Sequence, residues 1–525
     1  MRRTLRWLIV GFGFLGTGCS AFDTNPDAPP PPNIIVIMAD DHAQRAISAY
    51  GSPLIQTPNI DRLADEGILF SSSFVTNSIC APSRAVLLTG QYSHRNGLRD
   101  NRDQFDGSQM TFPKLLQQAG YETAVVGKWH LKDEPTGFDH WKILIGQGHY
   151  YSPVFLENGE QVEYPGYVTD VVTDLALDFL ETRDHDKPFL LLYQHSAPHR
   201  NWMPSPQHLD LFADQDLPLP PTFEDDYRGR PAAESADMRI DDLYLSFDLK
   251  LQADAYGRET GTGGNAEFDA EASWQASYER MSEEEKAAWD EHYGPINADF
   301  KSNSPNGTQL TIWKYQRFLK DYLRCVASID DNLGRLLGWL DRHGLADDTI
   351  VIYTSDQGFF LGEHGWYDKR FMYEPSMKTP LIIRYPAGIE PGRVSDALVV
   401  NLDTAPTLLD FAGVAVPPVM QGKSLRPLTL GRTPADWRQS VYYHYYEYPH
   451  GWHDVRPHYG IRTDRYKLIH FYGELDAWEL YDLEKDPNEI ENLFGREGYG
   501  TVTGELTGRL RALQREYGDE MDHTK

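Results

Sequence analysis

The sequence predicts an α/β protein: a large, mostly parallel or mixed sheet flanked by helices, then a small C-terminal antiparallel sheet with one helix. Three observations carry this. Four short apolar runs each end in ionisable residues, the pattern of buried strands that deliver polar groups at their C-terminal edge. Helical patterns alternate with those runs. Beyond Trp437 the chain becomes β-rich.

In chain order, Asn33-Ile34-Ile35-Val36-Ile37-Met38 leads into Ala39-Asp40-Asp41-His42, and Glu122-Thr123-Ala124-Val125-Val126 into Gly127-Lys128-Trp129-His130. Phe189-Leu190-Leu191-Leu192-Tyr193 leads into Gln194-His195-Ser196-Ala197-Pro198-His199, and Thr349-Ile350-Val351-Ile352-Tyr353 into Thr354-Ser355-Asp356-Gln357-Gly358. Helical periodicity covers 112–119, 171–181, 316–342 and 404–412. From 223 to 307 the chain is acidic and poor in aliphatic runs, with a capping box at Ser282-x-x-Glu285. That stretch reads as an insertion, either a wall that shapes a pocket or a solvated decoration. The C-terminal strands fall at 441–448, 459–463, 466–471 and 478–482, with a helix at 503–517. The organisation is therefore a leader at 1–19, a Pro-rich tether at 20–32, a main domain at 33–436 with the insertion, and an α+β subdomain at 437–525.

The leader has a basic start (Arg2, Arg3, Arg6) and an apolar run at 7–15, too short to span a bilayer comfortably. Leu15-Gly16-Thr17-Gly18-Cys19 is a lipoprotein-type box in which Leu15 lies one position early. Lipidation at Cys19, with membrane anchoring, and ordinary cleavage are the two readings. Either exports the chain, to the periplasm or outer membrane of a Gram-negative cell or into the medium. Cys80 and Cys325 remain; a disulfide between them would withdraw Cys80 from chemistry, whereas Cys325 reads as a buried helix residue.

Asp and Glu number 78 against 49 Lys and Arg, a net charge of −29. That surface disfavours nucleic acid, and an anionic substrate would need a few converging basic side chains. Asp40-Asp41 and Asp356-Gln357, each after a strand, read as an all-oxygen shell for Ca²⁺ or Mg²⁺.

Cys80-Ala81-Pro82-Ser83-Arg84, followed by Leu88-Thr89-Gly90, sets a cysteine at a helix start, where free N–H groups and the helix dipole favour an anion. A lone cysteine there reads as a buried structural residue. With its neighbours, however, it resembles the signature of the type I sulfatases, of the alkaline-phosphatase superfamily, and the resemblance extends from Asn33 over nearly the whole chain. It implies an alkaline-phosphatase-like fold, a sulfuric ester hydrolase activity, and oxidation of Cys80 by a maturation enzyme to formylglycine (3-oxoalanine). One hydroxyl of the hydrated aldehyde attacks sulfur, and the other later expels sulfate. The resemblance also implies one Ca²⁺ per chain, held by Asp40, Asp41, the modified Cys80, Asp356 and Gln357, the last departing from the usual Asn or His.

By the same resemblance Arg84 holds the modified residue, Lys128 and His130 form a second basic pair, and His199 and Lys369 bind sulfate and protonate the leaving alcohol. The 356–365 segment resembles the branch that acts on carbohydrate sulfates. His42, His364, His453, Arg456 and His458 are the candidate sugar-binding residues. The expected substrate is a sulfated oligo- or polysaccharide, first an algal one such as ulvan or carrageenan, alternatively a host glycosaminoglycan or mucin glycan. A phosphonate or phosphodiester hydrolase, which favours two divalent cations, and a non-catalytic glycan-binding paralogue, which needs no nucleophile, are the rivals.

Overall fold

The computed structural model describes residues 30–252 and 268–519. The leader with Cys19, most of the tether and part of the insertion lie outside them. One ten-stranded sheet organises the main domain. In chain order its strands are β1 (Asn33–Ala39), β2 (Ile68–Phe70), β3 (Glu122–Lys128), β4 (His140–Leu144), β5 (Val154–Glu157), β6 (Glu160–Glu163), β7 (Phe189–Gln194), β8 (Thr349–Ser355), β9 (Leu381–Arg384) and β10 (Arg393–Ser395). Across the sheet they run β10-β2-β9-β8-β1-β7-β3-β4-β5-β6.

The four apolar runs are the adjacent central strands β8, β1, β7 and β3, all parallel. Antiparallel pairs flank them, β9 against β8 and β2 on one side and β5 against β4 and β6 on the other, so the sheet is mixed. Because β1 lies between β7 and β8, the connections diverge at its C-terminal end, where open α/β sheets form a crevice. Register completes the alignment: Met38 pairs with Gln194 and Ala39 with Ser355, so Asp40 and Asp356 leave neighbouring strands side by side.

Helices cover both faces, which is why the central strands are apolar throughout. Ile35 and Ile37 face a core shared with α3 (Val168–Thr182) and α6 (Thr308–Arg342), while Ile34, Val36 and Met38 face α1 (Cys80–Thr89), α2 (Phe112–Gln118) and α7 (Thr404–Phe411). Between α3 and α6 in sequence, α4 (Ala270–Glu279) and α5 (Glu283–Asn303) make up most of the described part of the insertion after residue 252. The capping box forms as expected: Glu285 N–H donates to Ser282 Oγ at 3.2 Å, and Ser282 N–H to the Glu285 carboxylate at 2.7 Å. Trp274, Trp289 and Tyr293 are buried in the same core as α6, so one side of this segment is packed while most of its other residues remain exposed or half-buried.

The C-terminal region is the expected antiparallel sheet, β11 (Val441–Tyr445), β12 (His458–Arg462), β13 (Tyr466–Phe471) and β14 (Ala477–Asp482), with α8 (Gly500–Tyr517). Its inward residues Tyr443, Ile461 and Leu480 share one core with Phe74, Val86 and Phe371 of the main domain. Among the described residues no helix is long and apolar enough to cross a membrane, and Cys80 and Cys325 are both free and buried.

Gly127 shows how tightly the central strands close below the crevice. Its φ is +104°, and a Cβ there would stand 1.9 Å from the Gln194 carbonyl oxygen. Gly127→Ala is expected to lose at least about 2 kcal/mol, read by urea unfolding, because both the backbone angle and the contact resist a side chain.

Candidate active site

The helix α1 starts at Cys80 because Ile79 is extended (φ −152°, ψ 143°) and Pro82, in the first turn, has no N–H to leave unpaired. All of α1 is buried, which holds Cys80 in the crevice at the strand ends. Cys80 Sγ lies 3.5 Å from Asp40 Oδ1 and 3.7 Å from Gln357 Nε2. Asp41 takes a left-handed backbone (φ 67°), a turn that Asp tolerates, and its N–H donates to Asp356 Oδ1 at 3.1 Å. Carboxylate oxygens of Asp40, Asp41 and Asp356 all lie within 4.8 Å of one another.

Three buried cations balance those three carboxylates. Arg84 donates from Nε and Nη2 to Asp356 Oδ2 at 3.0 and 2.9 Å, and from Nη1 to the Lys128 carbonyl and Gln194 Oε1. Lys128 Nζ pairs with Asp40, and Lys369 Nζ with Asp41 Oδ2 at 2.7 Å. His199 Nε2 stands 3.8 Å from that same Asp41 oxygen. Gln147 links Lys128 to His130, whose Nε2 it meets at 3.2 Å. The structure thus brings together Asp40, Asp41, Cys80, Arg84, Lys128, His130, His199, Asp356, Gln357 and Lys369, gathered from chain segments more than 300 residues apart.

The donors suit a hard divalent cation. Gln357 Oε1 is buried without a hydrogen-bond partner beside three clustered carboxylates, so the shell offers only oxygen from these side chains. Burial pushes the Cys80 thiol up to about 12, so unmodified Cys80 is a neutral thiol and a poor nucleophile at neutral pH. Burial and the surrounding cations, Lys128 foremost, hold His130 and His199 well below the usual imidazole range. Burial alone would discharge Lys369, but Asp41 beside it outweighs that and keeps the ammonium charged.

Cys80, His130, His199 and Lys369 open on a cavity of about 680 Å³. Phe247 and Arg280 from the insertion form one wall, and Glu447 and Trp452 from the C-terminal region another. Arg200, Asp368 and Arg370 are among the lining residues that sequence reading missed. Arg200 makes a two-pronged pair with Asp248 (2.7 and 2.6 Å), and its guanidinium lies 5.1 Å from the Trp452 ring centre and 5.2 Å from that of Tyr367. Asp368 and Arg370 flank Lys369, both with positive φ, and bond to each other at 3.1 Å. Their signal was adjacency to His199 and Lys369, which by itself does not separate a cavity residue from a buried one.

The expected sugar-binding set is not brought to the cavity. His42 is fully buried, its Nδ1 2.7 Å from the Tyr353 hydroxyl under the sheet edge. His364 is bonded to Asp225 at 2.6 Å among Phe360, Trp366 and Tyr373. His458 faces inward on β12, accepting from Met372 N–H at 3.0 Å. Arg456 turns to Glu474 (2.9 Å) and stacks on Tyr448. His453 reaches the cavity only through Asp368, 3.2 Å from its Nε2. In each case the imidazole or guanidinium satisfies a neighbouring polar group or ring, which composition cannot distinguish from sugar binding.

Known proteins with this architecture supply the family. A sulfatase family model matches residues 32–414, and a model described as N-sulphoglucosamine sulphohydrolase, C-terminal, matches 362–516. The chain is 51% identical over 495 residues to an N-acetylglucosamine-6-O-sulfatase of Bacteroides thetaiotaomicron, covering 93% of this chain and 87% of that one. An ulvan-active sulfatase of Formosa agariphila is 24% identical over 512 residues, 94% of this chain and 83% of that protein. Among solved structures, one in complex with its substrate D-glucosamine-2-N,6-O-disulfate superposes with a TM-score of 0.88 at 49% identity, over 94% of this chain and 99% of the other. With the fold, the buried Cys-Ala-Pro-Ser-Arg helix start and these matches in agreement, the chain belongs to the sulfatase family of sulfuric ester hydrolases in the alkaline-phosphatase superfamily.

Proposed function

We propose that this sulfatase hydrolyses the 6-O-sulfate ester of glucosamine units in a glycosaminoglycan-type glycan. The observation that carries the reading is the single cavity onto which Cys80, His130, His199 and Lys369 open, on a chain half identical to a relative named for N-acetylglucosamine 6-O-sulfate. The algal polysaccharides expected first from sequence have weaker support, since the ulvan-active relative shares 24% identity.

Asp40, Asp41, Asp356 and Gln357 would hold one Ca²⁺, and Cys80 would serve as formylglycine; together they supply a hydrated-aldehyde nucleophile and positive charge at the reacting sulfate. The chain's own groups do the rest. Lys369, kept charged by Asp41, opens on the cavity where it would meet the sulfate oxygens, and Lys128 and Arg84 fix the carboxylates beside it. A bound sulfate ester adds negative charge beside His199. That would offset the neighbouring cations which, with burial, hold the imidazole neutral, and so favour its taking a proton from solvent and giving it to the sugar oxygen that departs. Arg200, Arg280 and Trp452 offer cationic and aromatic surface for the rest of the sugar.

Cys80 is 1% exposed, so its oxidation by a maturation enzyme would precede burial. The leader at 1–19 would carry the activity out of the cytoplasm, tethered by a lipid at Cys19 or released by cleavage.

Protein matured in its host, incubated with glucosamine 6-sulfate, N-acetylglucosamine 6-sulfate, the 2-N,6-O-disulfate, ulvan and carrageenan, is the test. Release of 6-O-sulfate from the glucosamines, falling at least about tenfold on chelation and restored by Ca²⁺, is the expected result. Release from ulvan or carrageenan alone would overturn the substrate, and exclusive loss of N-sulfate from the disulfate would replace it with an N-sulfoglucosamine reading.

A further inference from the structure

A second cavity, of about 610 Å³, lies between α5 and α6, and its lining shares no residue with the first. It is lined by Arg317, Lys320 and Arg324 of α6 and by His292 of α5, with Gln316 and the exposed Asp216. Burial and the neighbouring arginines hold His292 neutral, but on a chain carrying a net charge of −29 the three cations Arg317, Lys320 and Arg324 run against the background.

Lys250, behind the lining, joins Arg317 and Arg324 in converging on one buried carboxylate. Asp321 accepts from Lys250 Nζ at 3.0 Å, from Arg324 Nη1 at 2.9 Å and from the Tyr293 hydroxyl at 2.8 Å, with Arg317 Nε 3.8 Å away. Lys250, Arg317 and Arg324 are 1%, 5% and 2% exposed. Two guanidiniums and the Lys250 amine thus share one buried anion, and burial, which lowers the pKa of Lys250, sets a cost that a further negative charge would offset. The hydrogen-bond inventory points the same way. Arg317 gives Nε to the Leu249 carbonyl and stacks its guanidinium on Tyr293, 3.7 Å from the ring centre, but its Nη2 is buried with no hydrogen-bond partner, and so is His292 Nε2. The nearest outside acid to His292, Asp210, is fully exposed and stands 3.6 Å from its other nitrogen.

We propose that this cavity is a second anion site, separate from the active centre, that takes a sulfate group, either free sulfate or an ester on a sugar. A sulfate dianion would offset the excess charge and accept from the unspent Arg317 Nη2, the type of fork that guanidinium groups offer to oxyanions. Lys320, at the partly exposed edge of the cavity, adds a point charge at the entrance. The proposal does not depend on the glucosamine reading.

Crystals soaked in sodium selenate, a sulfate analogue located by its anomalous scattering, resolve the two sites directly. A selenium peak beside Arg317 is expected in addition to any at the active centre. In solution, calorimetry on Cys80→Ala protein, which cannot turn over, would compare inorganic sulfate with glucosamine 6-sulfate before and after adding Lys320→Glu or Arg317→Gln. At least a tenfold weaker sulfate affinity at this site is expected in either variant. Lys320→Glu, placed alone in the wild-type background, is expected to leave hydrolysis of a small aryl sulfate unchanged. Should Arg317→Gln fail to fold, Lys320→Glu carries the test, because its side chain reaches solvent. A response to inorganic sulfate identifies the free ion as occupant; a response to glucosamine 6-sulfate alone identifies the sugar ester. No selenium peak in this cavity under conditions that fill the active centre, or unchanged affinities for both probes in Lys320→Glu, would overturn the proposal.

Discussion

Cys80→Ala is expected to reduce sulfate release by about 10⁴-fold or more, the scale on which removal of a nucleophile falls when the other groups cannot act alone. Cys80 is the residue of the Cys-Ala-Pro-Ser-Arg motif that both touches Asp40 and opens on the active cavity. The thiol itself is no substitute, since burial holds it protonated at neutral pH. Protein in which mass spectrometry finds Cys80 unoxidised is therefore expected to be as inactive as the variant. The fold should hardly notice, because Ala is a good residue for the first turn of α1 and loses only one buried atom, at a cost of about 1 kcal/mol. Sulfate release is the measurement, with urea unfolding as the control. Activity within tenfold of wild type would remove Cys80 from the reaction.

Asp356→Ala is expected to have the largest effect on stability, about 3–5 kcal/mol, because it strands a buried charge. Arg84 is 2% exposed and directs two of its donors at Asp356 Oδ2. Without that carboxylate the guanidinium keeps only the Lys128 carbonyl and Gln194 as partners. The same change removes an oxygen from the cluster of Asp40, Asp41 and Asp356, so the stabilisation expected from the proposed Ca²⁺ should vanish with it. Asp356→Asn separates the two effects: its amide oxygen still accepts from Arg84, so it should recover part of the lost stability while binding the cation weakly. Denaturant midpoints with and without Ca²⁺ would show this. Equal stability of wild type and Asp356→Ala would mean that Arg84 is not held by this pair.

Several features were legible before any fold was known. The four central strands were readable because a strand buried on both faces is apolar throughout, and their polar ends because parallel strands present functional groups at one edge. Ser282 and Glu285 announced a helix start through reciprocal backbone bonds that need only three-residue spacing. The Cys-Ala-Pro-Ser-Arg motif was visible because cysteine, proline and arginine fall at alternate positions, 80, 82 and 84, at a helix entry. The short flanking strands β2, β9 and β10 were less so, being two- to four-residue pairings that depend on partners far along the chain.

The sequence by itself determined the α/β alternation and the four central strands, local properties set by hydrophobic periodicity, while its resemblance to the sulfatases supplied the candidate site residues. Only the tertiary structure decided that Arg84 grips Asp356, that Lys369 pairs with Asp41, and that His42, His364 and His458 serve the core. It also decided that Arg200, Asp368 and Arg370 line the cavity, and that Arg317 keeps an unspent donor in a second one. The reason is physical: whether a charged side chain serves packing or chemistry depends on which partner reaches it after burial, and those partners lie tens to hundreds of residues away.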